Sequence, residues 1–215
     1  MNDLPPEFSD QFLTEFDQLL SWRRDVRSFK KNPLDEEKFE KLLIQALKQS
    51  PSVGNSQPWR AIRLKTSEIR KKVRAHVEVE HQQSAKIYGG DAVKHYNRLK
   101  LHGLDTAPEQ LAIFSVKDPQ EGKGLGRQTM PETLVWSTIM AIHTLWLKAR
   151  AEGIGLGWVS ILRADKMNEI LECPAEWQFI AYLCMGYPEE ESQTPELVRE
   201  KWQERVPTEK LILHR

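Results

Sequence analysis

The sequence predicts an α+β or mixed α/β fold, a layer protein with long helices. Three observations predict it. Apolar positions alternate along the chain between helical spacing and short continuous runs, the patterns of amphipathic helices and buried strands. These patterns follow one another as helix, helix, strand, helix, helix, strand, helix, strand, helix, strand. The 215 residues, 40% of them apolar and seven of them tryptophan, suffice for a single large domain with a real core.

Phe8, Phe12, Phe16, Leu19 and Leu20 recur at helical spacing and predict an amphipathic first helix. Residues 1–20 therefore read as a helical extension ahead of one domain over 21–215. Asp35 is placed to cap a second helix, with Glu36 and Glu37 in its first turn. Phe39, Leu42, Leu43, Ala46 and Leu47 carry that helix towards Pro51. PSVGNSQPW (51–59) is turn chemistry, and Ala61–Lys65 alternates like a short strand. A polar helix is expected over Ser67–Tyr88, broken by Gly89-Gly90, and a weaker one over Asp91–Leu104. LAIFSV (111–116) reads as a buried strand and 117–130 as a loop. Glu132–Glu152 gives the strongest helix, apolar almost all round, which suits the centre of a core or a subunit interface. Gly153 is the expected residue after its C-cap. A strand over Trp158–Leu162, a helix over Asp165–Leu171 and a strand over Phe179–Met185 complete the series.

Charge excludes some functions. Lys plus Arg equal Asp plus Glu at 31 each, so no global field draws the chain to nucleic acid or to an anionic membrane. No apolar run approaches the roughly 18 residues of a membrane helix. The start, MNDLPPEFSDQF, lacks the apolar segment of a secretory signal. Cys173 and Cys184 form no CxxC pair and read as reduced core thiols of a cytoplasmic protein. The six histidines show no metal-ligand spacing, so no metal is expected.

One stretch stands against this neutral background. WRRDVRSFKK (22–31) holds Arg23, Arg24 and Arg27 with Asp25 among them. Arginine forks match phosphate oxygens bidentately, so three in five residues make a phosphate cradle; the plainer reading is a solvated helix end. Arg23 and Arg27, four apart, share a face in a helix or turn while Asp25 points elsewhere. Asp25 either presents a carboxylate beside the cradle or pairs with an arginine. In PSVGNSQPW, Ser52, Asn55, Ser56 and Gln57 offer hydrogen bonds to a heteroaromatic edge; by itself the stretch also serves as a plain connection. GIGLGWVSIL (153–162) allows close backbone approach but lacks the dinucleotide fingerprint. Ser160 has no nucleophile elbow around it, and EGKGLGRQ is no P-loop.

Taken in order, RRDVR, PSVG-x-SQPW, LGR-x-TMPE, HTLWLKARAEG, GxGWVSIL, AYLCMGYPEE and WQER resemble the 5,6-dimethylbenzimidazole synthase branch of the nitroreductase-like flavoproteins. The likeness runs from about Ser21 to Pro207. It implies a homodimer of nitroreductase-like α+β fold, a mixed central sheet flanked by long helices, with FMN at the subunit interface and each half-site drawing on both chains. It implies a reaction in which reduced FMN is itself consumed with O2, giving 5,6-dimethylbenzimidazole and erythrose 4-phosphate. NAD(P)H enters indirectly, through a flavin reductase that supplies the reduced flavin. The resemblance assigns Arg23, Arg24 and Arg27, with Val26 beside them and Arg205 in addition, to the phosphate and ribityl chain. It assigns Ser52 to the isoalloxazine edge and Leu101 to flavin packing. Asp25 and Ser160 fall where the family does chemistry, and both also count as flavin contacts: Asp25 to accept a proton from the ribityl chain, Ser160 to orient the flavin by a hydrogen bond. Ordinary nitroreductases commonly carry a hydroxyl residue where Asp25 stands, which favours the synthase. Asn55 is closer to the wider superfamily and keeps open an NAD(P)H-dependent nitroreductase or flavin reductase that retains its FMN. A flavin-binding protein without catalysis is the third reading.

Overall fold

The computed structural model describes residues 5–90, 93, 96 and 103–215. Helix α1 spans Asp10–Trp22, α2 Glu36–Gln49, α3 Ser67–Ala85, α4 Gly103–Thr106, α5 Thr133–Ala151, α6 Ala164–Ile170 and α7 Glu196–Arg199. Strands β1 (Trp59–Arg63), β2 (Glu109–Val116), β3 (Gly155–Val159) and β4 (Trp177–Gly186) form one sheet in the order β1-β2-β4-β3. All three strand pairings are antiparallel. The expected mixed sheet is thus corrected: among the described residues its strands pair antiparallel, and the parallel character is one isolated bridge between Asp25 and Leu156.

Side-chain alternation on the two central strands builds two core layers. Leu111 and Ile113 on β2, with Ala181, Leu183 and Met185 on β4, pack against Phe39, Leu42 and Ala46 of α2 and Ile142, Leu145 and Ala149 of α5. Ala112, Phe114, Tyr182 and Cys184 face the other way, with Val73 and Val77 of α3 and Met167 of α6. A bulge between Ile113 and Phe114 skips Ile180 in the pairing, so Phe179 joins the second layer although its parity belongs to the first. Every residue of β2 is buried, as a central strand covered on both faces requires.

The helices start and stop where their caps allow. Asp35 accepts from the Lys38 N–H at 2.9 Å, as expected. After α5, Ile154 N–H donates to Ala149 O at 2.8 Å and Gly153 N–H to Arg150 O at 3.0 Å, with Gly153 at φ +71°. That is a Schellman end, which explains the glycine. The strand bounds differ from expectation at two places. β1 begins at Trp59, directly after Pro58, because the register pairs Trp59 with Ser115. β3 lies three residues earlier than expected, on the glycines 155 and 157. The helix expected over Asp91–Leu104 falls mostly outside the described residues.

The apolar stripe of α1 is real but outward. Phe8 and Phe12 stack at 4.6 Å and Phe12 and Phe16 at 6.1 Å, yet none of the helix's residues is buried. The face of α5 that carries Trp136, Ile139 and Met140 is likewise exposed. No helix among the described residues is long and apolar enough to cross a membrane.

Candidate active site

Beyond α1 the chain becomes extended and lies along β3, an edge strand. Such an edge offers unpaired N–H and C=O groups, and Asp25 and Val26 take up two of them, while Ser28 and Lys30 pair with the chain that follows β4. Val26 N–H donates to Leu156 O at 3.0 Å. The next free N–H of β3, at Trp158, donates to Asp25 Oδ1 at 2.8 Å, so a side-chain carboxylate stands in for a strand carbonyl. Further on, Lys30 N–H donates to Tyr187 O at 2.8 Å and Glu189 N–H to Ser28 O at 3.1 Å. The approach is too close for a side chain on β3. A Cβ at Gly157 would meet Val26 O at 2.0 Å.

This extended path corrects the expected helix or turn, in which Asp25 points away from the arginines. With a period of two, Asp25 and Arg27 lie on one side and meet. Arg27 Nε donates to Asp25 Oδ2 at 3.1 Å, with Glu196 Oε2 at 3.8 Å from the same nitrogen. Arg23 lies over the Trp146 ring, 4.8 Å from its centroid. Trp146 Nε1 donates in turn to Arg24 O at 3.0 Å. The Arg24 guanidinium donates to the carbonyls of Arg23, Ser21 and Gln193. Its Nε is buried without a partner. Burial, then the positive charges of Arg205 and Arg23, pull its pKa down. Arg205, whose charge acts on Arg24, is itself exposed.

Two cavities meet at residues 25–27. The smaller, about 110 Å³, is lined by Asp25, Arg27, Gly103, Gly157, Ser160 and Cys184 among others. The larger, about 340 Å³, is polar and lined by Arg24, Ser28, Thr194, Glu196, Arg199 and Glu200 among others, with Asp25, Val26 and Arg27 shared. Ser160 follows β3 directly and is exposed, so the structure brings together Asp25 and Ser160, the two residues expected to act chemically. Cys184 sits opposite Gly157 in the β3–β4 register and is 1% exposed. Burial, and then the nearby Asp25 charge, push its thiol well above the ordinary range.

Ser52 is held elsewhere. Its Oγ accepts from the Gln57 N–H at 3.0 Å, and the adjoining Val53 N–H donates to Ser137 Oγ at 3.0 Å. Ser137 and Trp146 are nine residues apart on α5, so Ser52 and the arginine segment sit about 14 Å apart along that helix. Ser52 is not among the described residues lining either cavity. Leu101 lies outside the described residues. The sequence reading missed Glu196, the Trp158 N–H and the place of Cys184. Only the register of β3 on β4 and the fold-back of 189–200 reveal them.

The arrangement fits a phosphate-bearing flavin at its anionic end. The Arg24 Nε is buried and lacks an acceptor, the charges of Arg23 and Arg205 reach it, and the adjoining polar cavity, where Arg24, Arg27 and Arg199 stand beside Glu189, Glu190, Glu196 and Glu200, is large enough for a phosphate. Each Asp25 oxygen keeps a second lone pair beyond the hydrogen bond it already accepts, so the carboxylate can still receive a proton.

The Nitroreductase family model matches residues 20–187. The chain is 47% identical over 192 residues to a 5,6-dimethylbenzimidazole synthase of Rhodobacter capsulatus, covering 89% of this chain and 92% of that one. It is 47% identical over 202 residues to a 5,6-dimethylbenzimidazole synthase of Rhodospirillum rubrum, covering 94% and 95%. Among solved structures, a BluB-like flavoprotein from Clostridium difficile superposes with a TM-score of 0.67 at 21% identity, covering 93% of this chain and 98% of that one. Iodotyrosine deiodinase bound to FMN and 3-iodo-L-tyrosine gives a TM-score of 0.67 at 22% identity, covering 82% and 91%. The α+β layers, the glycine-opened β3 and these likenesses along most of the chain agree: it belongs to the Nitroreductase family.

Proposed function

We propose that this chain is an enzyme that makes 5,6-dimethylbenzimidazole by O2-dependent fragmentation of reduced FMN, releasing erythrose 4-phosphate. The observation that carries the reading is Asp25. Its carboxylate is fixed between the Trp158 N–H and Arg27, on the cavity that Ser160 also lines, in a chain 47% identical to two synthases of that name. When bound, the reduced flavin supplies the electrons for oxygen. The chain supplies the rest. Arg24 and Arg27, with Arg23 and Arg205 near them, hold the phosphate and ribityl end. Val26 fixes the segment, because its N–H is committed to Leu156. Asp25 takes a proton from the ribityl chain, and the Ser160 hydroxyl orients the ring by a hydrogen bond.

The active unit is a homodimer. The exposed Trp136, Ile139 and Met140 on α5 support this, as does the distance of Ser52 from the arginines within one chain. In that reading the flavin lies at the interface, with Ser52 at the isoalloxazine edge, and Leu101 packs on it. The enzyme works in the cytoplasm, where both free thiols stay reduced and a flavin reductase using NAD(P)H supplies the reduced FMN.

The test is product analysis. Purified protein is mixed with anaerobically reduced FMN, air is admitted, and the small molecules are separated by chromatography with mass detection. A 5,6-dimethylbenzimidazole peak is expected. If FMN returns intact, the synthase reading fails, and an NAD(P)H-dependent reductase with retained FMN takes its place.

A further inference from the structure

We infer that Glu196 is a specificity-determining residue that weakens the grip of Arg27 on the flavin phosphate. The inference rests on the reading that the phosphate lies at the arginine segment. Arg27 Nε faces two carboxylates, Asp25 at 3.1 Å and Glu196 at 3.8 Å. Their roles differ. Asp25 is within hydrogen-bond distance, so it orients the guanidinium. Glu196 stands beyond that distance and contributes charge alone.

The Glu196 side chain is 23% exposed and forms part of the wall of the polar cavity beside Arg24 and Arg27. A phosphate monoester entering there brings roughly two negative charges at neutral pH. It meets Arg24, Arg27 and Arg199 and, on the same wall, Glu189, Glu190, Glu196 and Glu200; of these four glutamates Glu196 is the one placed 3.8 Å from Arg27 Nε. Glu196 also has limited room to retreat. The segment before it is tied down by Arg150 Nη1 on Glu191 at 2.7 Å and by the Arg24 guanidinium on the Gln193 carbonyl.

Such a countercharge suits a flavin that is a substrate. A retained cofactor gains from the tightest hold. A consumed one must enter on every turnover, and its phosphate-bearing fragment must leave. Glu196 keeps the arginines selective for phosphate without trapping either species.

The experiment measures binding of oxidised FMN and of riboflavin by flavin fluorescence, in the parent protein, E196Q and E200Q. Glu200 lines the same cavity and controls for general loss of charge. E196Q should bind FMN about five- to tenfold more tightly, as one screened charge at several ångströms allows. Its riboflavin affinity should change less than about twofold, because no phosphate is present to be repelled. E200Q should have the smaller effect on FMN. Weaker or unchanged FMN binding in E196Q overturns the inference, as does an equal shift for riboflavin or an equal effect of E200Q. A parent protein that does not discriminate FMN from riboflavin overturns the phosphate reading itself, and the inference with it.

Discussion

Replacing Asp25 by asparagine separates the two things this carboxylate does. The amide keeps an oxygen for the Trp158 N–H, now 2.8 Å from Oδ1, so the edge of β3 stays covered. It loses the charge, and it turns an N–H towards Arg27 where Oδ2 accepted at 3.1 Å. A charge-assisted hydrogen bond is roughly twice a neutral one, so the Trp158 contact falls by about 0.5–1 kcal/mol. The ion pair adds little, because the Asp25 side chain is 37% exposed and solvent screens it. A total near 1 kcal/mol lowers Tm by about 2–4 °C in a chain of this size. Asp25→Ala also leaves the Trp158 N–H without its acceptor and should cost about 2 kcal/mol. Catalysis should respond far more than stability. Loss of a positioned proton acceptor typically removes about 10²–10⁴ in rate, so Asp25→Asn should bind FMN within about threefold of the parent and yield almost no 5,6-dimethylbenzimidazole. The assays are a thermal melt, FMN fluorescence and the product chromatogram on the same preparation. Product at the parental rate would refute the proton-acceptor role. A parallel collapse of FMN binding would make Asp25 a binding residue only.

Three further outcomes are expected. Gly157→Ala puts a methyl 2.0 Å from Val26 O and should cost about 3 kcal/mol or more along with FMN binding, whereas Gly153→Ala, with open space but φ +71°, should cost only about 1–2 kcal/mol and leave binding intact; urea melts and flavin titration distinguish them. Burial holds the Cys184 thiol above its unfolded value, so its stabilising effect is complete below about pH 8.5 and is lost as pH rises from there towards the folded value; urea stability should fall between about pH 8 and 9.5, and less steeply in Cys184→Ala. The Cys173 thiol is also raised by burial and adds with the same sign, so equal slopes in parent and variant would assign the whole effect elsewhere. Trp136→Glu on the exposed face of α5 should give a monomer by light scattering with at least about tenfold weaker FMN binding, since about 1.4 kcal/mol is tenfold; a dimer with full affinity would move the interface off this face.

Much of this molecule is legible in its sequence, and the illegible part has one physical origin. The caps at Asp35 and Gly153 and the paired core layers of β2 and β4 follow from local chemistry and from alternation. The arginine stretch stands out because five cations in ten residues need a reason, and the proposed phosphate site supplies one. The role of Asp25 is not legible, because it depends on what lies alongside. Glycine weakens a strand, so reading for strand residues pushes β3 three positions along the chain, off Gly155 and Gly157. Yet those two positions must lack a Cβ if Val26 is to pass over the edge and Asp25 is to reach the Trp158 N–H. The residues that hide β3 are therefore the ones that admit the arginine segment, and the same contact decides whether Asp25 lies in a helix, pointing away, or extended and paired with Arg27. Glu196 is hidden for a related reason. Its own neighbourhood, with Arg199, Glu200 and Lys201, reads as an ordinary mixed-charge surface, and only the return of the chain after β4 brings it to Arg27, 169 positions away by numbering (196 − 27). Local pattern finds groups that act on their own neighbours. A site assembled across an uncovered strand edge has its meaning in the pairing, and there one glycine carries as much information as the charged residues it brings together.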